Sequence, residues 1–259
     1  MIDLHCHLLP GVDDGPPTTE VSLEMAQVAL KEGTHTVVAT PHVNLEYGVV
    51  PEEIDERVEA LSEALAGEEV PLHVFSGAEV AFNRCASFDD AQLQSLCLGR
   101  SSYALIESPY SSAGTLIEDV LFDLQVRGFR PLLAHPERCP EFQNDVARLA
   151  RLVDRGVACS VSAGSLGGQF GRTAKRFASR LLDAQLVHNL SSDGHDAVRR
   201  PPSLRVASGD RSRRLISAAS LRWLTDTVPA AILADEPLPA RPAGPAGRSS
   251  LWSRRLTSD

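Results

Sequence analysis

The chain has 259 residues, of which 43% are hydrophobic, and its net charge is −9. This length and hydrophobic content are sufficient for one large core, and α/β barrels of similar length are commonly single domains. The acidic balance argues against a nucleic-acid-binding protein with a broad basic surface.

Short apolar segments typical of strands alternate with longer amphipathic segments typical of helices. In chain order they are strand 1–7, helix 19–32, strand 35–42, helix 51–66, strands 71–80 and 103–109, helix 115–127, strand 130–137, helix 142–155, strand 158–165, helix 172–184, strand 186–195 and helix 210–226. This alternation predicts a parallel sheet, either doubly wound or closed into a barrel. No G-x-G-x-x-G follows the first strand, which weakens a dinucleotide-binding interpretation.

The composition changes near residue 235 to a segment rich in Pro, Gly, Ala and Arg. We therefore predict one domain at 1–234 and a disordered tail at 235–259. The five cysteines are an odd number without a C-x-x-C pair, which favours reduced thiols over a disulfide framework. Neither a membrane-spanning apolar run nor a secretory signal is present, so we expect a cytoplasmic protein that does not insert into a membrane.

Side chains that commonly bind metal ions recur where the predicted strands end. They are His5 and His7 in the first strand, Asp13 and Asp14 in the loop after it, His42, Glu79, Glu107 and His135 at the ends of the second to fifth strands, and Asp193 and His195 in the seventh. Active sites of parallel α/β folds lie at these carboxyl ends. Residues two apart on a strand share a face, so each pair in the first and seventh strands would enter the same cavity.

Imidazole and carboxylate groups without a thiolate suit Zn, Mn or Fe ions. With Asp14 as the loop ligand, the set has nine members, more than the about four to six that one ion needs. We therefore expect two or three ions, with Glu79 as the bridging carboxylate. Their surplus positive charge would hold a hydroxide and attract a phosphate dianion, as metal-assisted phosphate hydrolysis requires.

Each of these residues also has a simpler interpretation, because Asp13-Asp14-Gly15 is a common turn and a histidine at a strand end is usually structural. Arg138 could bind phosphate oxygens or form a surface salt bridge. The glycine-rich segment 164–176 does not match a nucleotide P-loop, and tight turns explain it slightly better than anion binding. No arginine lies six residues after any cysteine, and no G-x-S-x-G serine motif occurs, so the nucleophile is expected to be metal-bound hydroxide.

The motifs HCH, GVDDGP, ATPH, GAEV, LIESP, LAHPER, GSLGGQFG and SSDGH occur in this order. Together they resemble the polymerase and histidinol phosphatase (PHP) superfamily, and within it the bacterial CpsB/CapC-type tyrosine phosphatases, over about residues 1–235. The resemblance implies a distorted, TIM-like (β/α)7 barrel, the PHP fold, with a trinuclear centre that often holds manganese. By motif position it implies the metal ligands His5, His7, Asp14, His42, Glu79, Glu107, His135, Asp193 and His195, and Arg138 as the phosphate-binding arginine.

The resemblance implies a metal-dependent enzyme that hydrolyses phosphotyrosine on a protein. Because a phenolate is a fair leaving group, little general acid assistance is needed, and His42 or His195 could supply it where metal coordination leaves them available. The expected substrate is the C-terminal tail of a bacterial tyrosine autokinase that governs capsule or exopolysaccharide synthesis. Mn is the expected metal, with Fe or Zn as alternatives. Two other functions stay open: a PHP phosphoesterase acting on a small ester such as histidinol phosphate, and a catalytically inert metal-binding regulatory protein. The sequence departs from the family pattern at Cys139, where an aromatic residue is usual, and at Gly194 in SSDGH.

Overall fold

The computed structural model describes residues 1–109, 116–205 and 216–242. The strands are β1 (Ile2–Cys6), β2 (Thr36–Ala39), β3 (His42–Val43), β4 (His73–Ser76), β5 (Glu79–Ala81), β6 (Tyr103–Glu107), β7 (Arg130–Ala134), β8 (Ala158–Ser162) and β9 (Asn189–Ser191). The α-helices are α1 (Thr19–Lys31), α2 (Ile54–Gly67), α3 (Asp90–Leu96), α4 (Ile117–Val126), α5 (Pro140–Asn144), α6 (Val146–Asp154), α7 (Ala163–Gly167), α8 (Gly171–Asp183), α9 (Ala218–Arg222) and α10 (Val228–Leu233).

The strands pair in parallel and form two sheets, ordered β1-β2-β4 and β3-β5-β6-β7-β8-β9. At the outer edges of the sheets, Cys6 forms an isolated parallel bridge to Gly194, and the Asp193 N–H donates to the His5 carbonyl at 2.8 Å. The end of β1 therefore meets the chain that leaves β9. The predicted α/β class with parallel strands is confirmed, and the strands are divided between two sheets instead of one continuous ladder.

Two predicted strands are each interrupted in the middle. Segment 35–42 divides into β2 and β3, and segment 71–80 divides into β4 and β5. Pro41 stands at the first break and has no N–H to donate to a ladder. At the second break, a Cβ on Gly77 would lie 2.8 Å from Val38 Cγ1, so only glycine allows the close approach. As a result His42 begins β3 and Glu79 begins β5, and the two residues are register partners.

Most strands are buried on both faces, as expected for a parallel sheet covered by helices, whereas β4 exposes His73 and Phe75. Leucine, isoleucine and valine side chains that are fully or almost fully buried form this core: Leu4, Val37, Val38, Leu105, Ile106, Leu132, Leu133, Val161 and Leu190. Helix α8 illustrates the covering layer. It buries Ala174, Phe177, Ala178 and Leu181 and leaves Arg172, Lys175 and Arg176 exposed.

Some helices differ from the prediction. The single helix expected at 142–155 is replaced by α5 and α6, because Asp145 leaves the helical conformation and its Oδ1 accepts the Arg148 N–H at 3.2 Å. Helix α3 was not predicted, although Asp89 and Gln92 form a capping box at its start. Of the helix expected at 210–226, residues 210–215 lie outside the described residues, and the remainder is α9 followed by a π-helical turn at Trp223–Thr227.

The first residues of the tail predicted to be disordered contact the rest of the chain. Trp223 Nε1 donates to the Pro239 carbonyl at 3.2 Å, and the Arg241 guanidinium lies 4.3 Å from the Trp223 ring centroid. Residues 243–259 lie outside the described residues, so the division at 234/235 stays a prediction. In the described segments, every helix is too short or too polar to cross a lipid bilayer.

Candidate metal centre

The predicted ligands lie along one edge of the two sheets. His5 and Glu107 lie within the last two residues of β1 and β6, and His42 and Glu79 begin β3 and β5. The others follow β1, β7 and β9: His7, His135, Asp193 and His195. Parallel strands bring their carboxyl ends together, which places side chains that are far apart in sequence around one cavity.

The structure brings all nine predicted ligands together. Four overlapping groups, each with ligand atoms within 4.8 Å of one another, are His7–Asp14–His42–His195, His5–His7–Asp193, His5–Glu79–His135 and His42–Glu79–Glu107. Because His5, His7, His42 and Glu79 each belong to two groups, the groups form one continuous cluster. The predicted proximity is therefore present, whereas the role of each residue as a metal ligand stays a prediction.

Glu79 is the centre of this cluster. Its Oε2 lies 3.3 Å from His5 Nε2, 3.4 Å from His7 Nε2 and 3.0 Å from His42 Nδ1. Its Oε1 lies 2.6 Å from His135 Nε2. One buried carboxylate thus faces four imidazoles from three segments of the chain, which is the geometry expected of a carboxylate that bridges metal ions.

The polar atoms of the cluster fit divalent cations. Among the described residues, no donor makes a hydrogen bond to the buried Glu79 Oε2, which would be costly without a compensating cation. His5 Nε2 and His7 Nε2 also face each other at 3.2 Å. Neutral imidazole nitrogens and carboxylate oxygens pointing at shared points are the donor set of Zn, Mn and Fe sites.

The electrostatics of the cluster differ between its two glutamates. Burial raises the pKa of Glu79, but its interactions with the His5 and His135 side chains outweigh burial and hold that pKa well below its usual range. Burial and the negative charge of Glu79 raise the pKa of Glu107 to about 7. Glu79 is therefore ionised at neutral pH, while Glu107 is partly protonated until a cation stabilises its carboxylate.

We expect metal binding to release protons at neutral pH. Burial lowers the pKa of His7, but the hydrogen bond with Asp13 and the negative charges of Asp13 and Glu79 outweigh it and raise the pKa to about 10. His7 therefore carries a proton in the metal-free protein, and binding requires its neutral form. Apparent affinity for Mn should rise with pH, first through about 7 as Glu107 loses its proton and becomes a carboxylate, and then towards about 10 as His7 loses its proton and becomes neutral.

Calorimetric titration of Mn in buffers of different ionisation enthalpy measures this release. At pH 7.5 about one proton or more per protein should appear. Proton uptake, or an affinity that falls between pH 6.5 and 8.5, would contradict the expectation.

The two aspartates of the first loop have separate positions. Asp13 Oδ2 lies 2.7 Å from His7 Nδ1 and accepts the His42 backbone N–H at 2.9 Å. It therefore orients His7 so that Nε2 faces the cluster, as the outer carboxylate of a carboxylate–histidine–metal arrangement does. Asp14 Oδ1 lies 3.3 Å from His195 Nε2 and 3.6 Å from His42 Nε2.

Two arginines converge on Asp193 at the edge of the cluster. Arg138 forms an ion pair with Asp193 Oδ2, and Arg200 Nη2 lies 2.8 Å from the same oxygen. Burial raises the pKa of Asp193, but Arg138 and His5 outweigh burial and lower it. Arg200 was not predicted; its signal in the sequence is the Arg-Arg pair soon after His195. Asp193 and His135 have left-handed backbones, with φ of 52° and 35°, a strain that is common at functional sites.

The glycine-rich segment supports both arginines. The Phe170 ring centroid lies 4.4 Å from the Arg138 guanidinium carbon and 5.5 Å from that of Arg200. Gln169 Nε2 donates to the Arg199 carbonyl at 2.8 Å, which ties the segment to the loop that carries Arg200. The segment therefore has a structural role, as the sequence slightly favoured, and that role is to position two cationic side chains.

Both arginines and seven of the nine predicted ligands, all except the fully buried His5 and His7, line a cavity of 270 Å³. Tyr47 also lines it, with its ring stacked on His42 at a centroid distance of 5.6 Å and an interplanar angle of 10°. Asn44 Oδ1 accepts the N–H groups of Glu46 and Tyr47, which fixes this loop. The cavity therefore combines a polar floor with an aromatic side chain, and sequence reasoning did not identify Tyr47.

The two departures from the family pattern have structural explanations. A Cβ on Gly194 would lie 2.8 Å from Pro202 Cα, so glycine allows the chain to pass between Pro202 and the end of β1. The Cys139 side chain is fully buried and belongs to the hydrophobic core. Neither departure removes a group from the cluster.

Comparison with known proteins gives consistent results. The family model described as "Capsular polysaccharide synthesis, CpsB/CapC" matches residues 1–230. Tyrosine-protein phosphatase YwqE of Bacillus subtilis (strain 168) is 39% identical over 201 residues, covering 77% of this chain and 79% of that protein. Tyrosine-protein phosphatase CpsB of Streptococcus pneumoniae is 30% identical over 213 residues, covering 80% and 88%.

Solved structures extend the similarity to three dimensions. A chain from the crystal structures of YwqE from Bacillus subtilis and CpsB from Streptococcus pneumoniae, described as unique metal-dependent tyrosine phosphatases, matches with a TM-score of 0.81 and 33% identity. The match covers 95% of this chain and 100% of that one. L-Hydantoinase from Arthrobacter aurescens matches with a TM-score of 0.52, 12% identity and coverage of 90% and 70%, which is a similarity of fold alone.

Proposed function

The chain belongs to the CpsB/CapC family, and on that basis we propose that it is a metal-dependent protein-tyrosine phosphatase whose metal ligands are the nine clustered residues. The observation that carries the proposal is the buried Glu79 carboxylate facing four histidines, with two arginines a short distance away on Asp193. Metal-assisted phosphate ester hydrolysis requires bound cations and a bound phosphate. The Glu79 cluster would hold the cations, and the two arginines would hold the phosphate beside them.

Two or three divalent ions held by this cluster, with Mn as the proposed metal, would supply Lewis acidity and a water of lowered pKa as the nucleophile. The chain contributes the electrostatic frame. Glu79 and Asp193 are buried and ionised, and Asp13 fixes His7 through its Nδ1. Such preorganised charges need no rearrangement as negative charge develops on the phosphoryl oxygens.

Arg138 and Arg200 would bind the phosphoryl oxygens. Each already directs a guanidinium nitrogen at Asp193 Oδ2, and metal coordination by Asp193 would leave those donors available to the substrate. Guanidinium groups suit this task because their paired N–H donors match two oxygens of a phosphate. The Phe170 ring packs against the guanidinium groups of both arginines. This contact restricts their side chains before substrate binds and so reduces the entropy lost on binding.

A phenolate is a fair leaving group, so strong general acid assistance is not needed. His42 and His195 are the candidates for the assistance that remains, since both line the cavity near Asp14. Tyr47 would stand beside the aromatic ring of the substrate tyrosine. The physiological substrate that we propose is the C-terminal tail of a bacterial tyrosine autokinase in capsule or exopolysaccharide synthesis, acting in the cytoplasm.

Chelation tests the metal requirement directly. We expect that treating the purified protein with a chelator abolishes hydrolysis of p-nitrophenyl phosphate and that Mn restores it, because no cysteine or serine nucleophile motif replaces a metal-activated water. Full activity in excess chelator would refute the proposal. A parallel assay on a phosphotyrosine peptide and on histidinol phosphate separates the protein phosphatase from a small-molecule phosphoesterase.

A further inference from the structure

An exposed group of basic side chains begins at the rim of the cavity. Arg172, Lys175 and Arg176 are exposed on α8, and Arg199 is exposed on the loop that carries Arg200. We call these four residues the basic rim. They are notable because the chain as a whole has a net charge of −9, so a local cationic surface differs from the average of the molecule.

Two contacts connect the basic rim to the cavity. Arg172 follows Phe170 by two residues, and the Phe170 ring lies 4.4 Å from the guanidinium carbon of Arg138. Arg199 precedes Arg200, and its carbonyl accepts from Gln169 at 2.8 Å. The basic rim therefore begins beside the two arginines that face Asp193 and continues along α8.

The charges of the basic rim are not neutralised within the described segments. None of the four side chains has a carboxylate oxygen within ion-pair distance there. Lys175 Nζ donates only to the Gly167 carbonyl, at 3.3 Å. Asp196 is the nearest acidic group in sequence, and its carboxylate accepts the backbone N–H groups of Val198 and Arg199. The surface is therefore available to an anionic partner.

The lining of the cavity also carries an exposed negative group that the basic rim lacks. Glu46 lines the cavity and is exposed. An acidic chain that enters the cavity would be repelled by Glu46 and attracted by the basic rim. This asymmetry gives a bound polypeptide a preferred direction, since complementary potentials determine orientation and association rate more than affinity alone.

We propose that the basic rim is a docking surface for anionic side chains that flank the phosphotyrosine in the substrate polypeptide, an inference that rests on the proposed phosphatase function. The spacing supports this assignment. Arg172 and Arg176 lie four residues apart on α8, which is about 6 Å of helix rise. Alternate residues of an extended chain lie about 6.6 Å apart on one face, so two anionic side chains at alternate positions match them.

Glutamate, aspartate or a second phosphotyrosine could supply these anionic groups, and synthetic peptides distinguish the sources. We would compare peptides in which a central phosphotyrosine is flanked at alternate positions by glutamate, by phosphotyrosine or by glutamine, all with Mn present. The unchanged protein should hydrolyse the anionic peptides about 10-fold more efficiently than the glutamine peptide at low salt. This preference should fall to about 2-fold or less near 0.5 M salt, because exposed charges are screened.

The triple variant Arg172→Gln/Lys175→Gln/Arg176→Gln should lose the preference and keep its hydrolysis of p-nitrophenyl phosphate. The matched control Lys31→Gln/Arg57→Gln/Arg100→Gln removes three exposed positive charges from elsewhere on the chain and should keep both. If the unchanged protein prefers the glutamate and the phosphotyrosine peptides equally over the glutamine peptide, negative charge is the recognised feature. If it prefers only the phosphotyrosine peptide, the surface recognises phosphate groups.

Three results would overturn the docking surface while leaving the phosphatase function intact. They are no preference for anionic peptides in the unchanged protein, a preference that salt does not reduce, and a triple variant that retains the preference. Binding to phosphatidylserine vesicles that the triple variant loses, without any peptide preference, would instead assign the surface to membranes and also overturn the proposal. Absence of aryl phosphate hydrolysis by the unchanged, Mn-loaded protein would overturn the phosphatase function itself.

Discussion

Glu79→Gln is expected to reduce kcat/KM for p-nitrophenyl phosphate by about 1000-fold or more. The amide keeps the shape of the side chain but loses the charge that faces His5, His7, His42 and His135. Metal ions stabilise transition-state charge by several kcal/mol. Loss of about 4 kcal/mol corresponds to a 1000-fold lower rate, since about 1.36 kcal/mol is tenfold.

Metal binding provides a readout of Glu79→Gln that does not depend on turnover. Mn at about 100 times its Kd should stabilise the unchanged protein by about 2.7 kcal/mol, observed as a higher Tm, and the variant should show a much smaller increase. Glu137→Gln is the matched control. Glu137 is also a fully buried carboxylate, but its Oε1 accepts from Ser165 Oγ and the Ser162 N–H, outside the four ligand groups.

If Glu79→Gln retained both activity and the Mn-dependent increase in Tm, Glu79 would not be the bridging carboxylate. If Glu137→Gln lost the increase as completely as Glu79→Gln, the effect would report general loss of buried charge, not loss of a metal ligand. The comparison therefore tests the role of one residue within the proposed ligand set.

The convergence of the ligands was predictable because parallel strands have their carboxyl ends on the same side of the fold. His42 and His135 are far apart in sequence, but both follow short apolar runs, and a parallel α/β fold gathers the carboxyl ends of such runs on one side. The breaks within segments 35–42 and 71–80 could not be placed as firmly. They depend on how Gly77 packs against Val38, a contact between strands that one sequence does not reveal.

The loop residues were less predictable than the strand residues. Asp13 and Asp14 are adjacent and chemically identical, and only the path of the loop decides that Asp13 contacts His7 while Asp14 faces His195. Arg200 and Phe170 reach the site in the same way, from separate loops joined by the hydrogen bond of Gln169 to the Arg199 carbonyl. Their positions follow from tertiary contacts, which leave no periodic signal in the sequence.

Arg138→Ala should lower kcat/KM by about 100-fold and Arg200→Ala by about 10-fold. Hydrogen bonds to charged groups contribute about 1.5–3 kcal/mol, which corresponds to roughly 10- to 150-fold. Arg138 is the better buried of the two, with 11% of its side chain exposed compared with 29% for Arg200. Its charge is therefore less screened by solvent, and its loss should have the larger effect.

The fold-loss of kcat/KM in the double variant Arg138→Ala/Arg200→Ala should be smaller than the product of the two single losses. Both side chains contact Asp193 and the Phe170 ring, and residues that share partners are not additive. Competitive inhibition by inorganic phosphate isolates the binding contribution, so its Ki should rise in each single variant. Arg205→Ala serves as the control, because Arg205 is exposed and pairs with Glu32. An unchanged Ki in Arg138→Ala would show that Arg138 holds Asp193 and does not bind the phosphoryl group, and the mechanism would then depend on Arg200 alone.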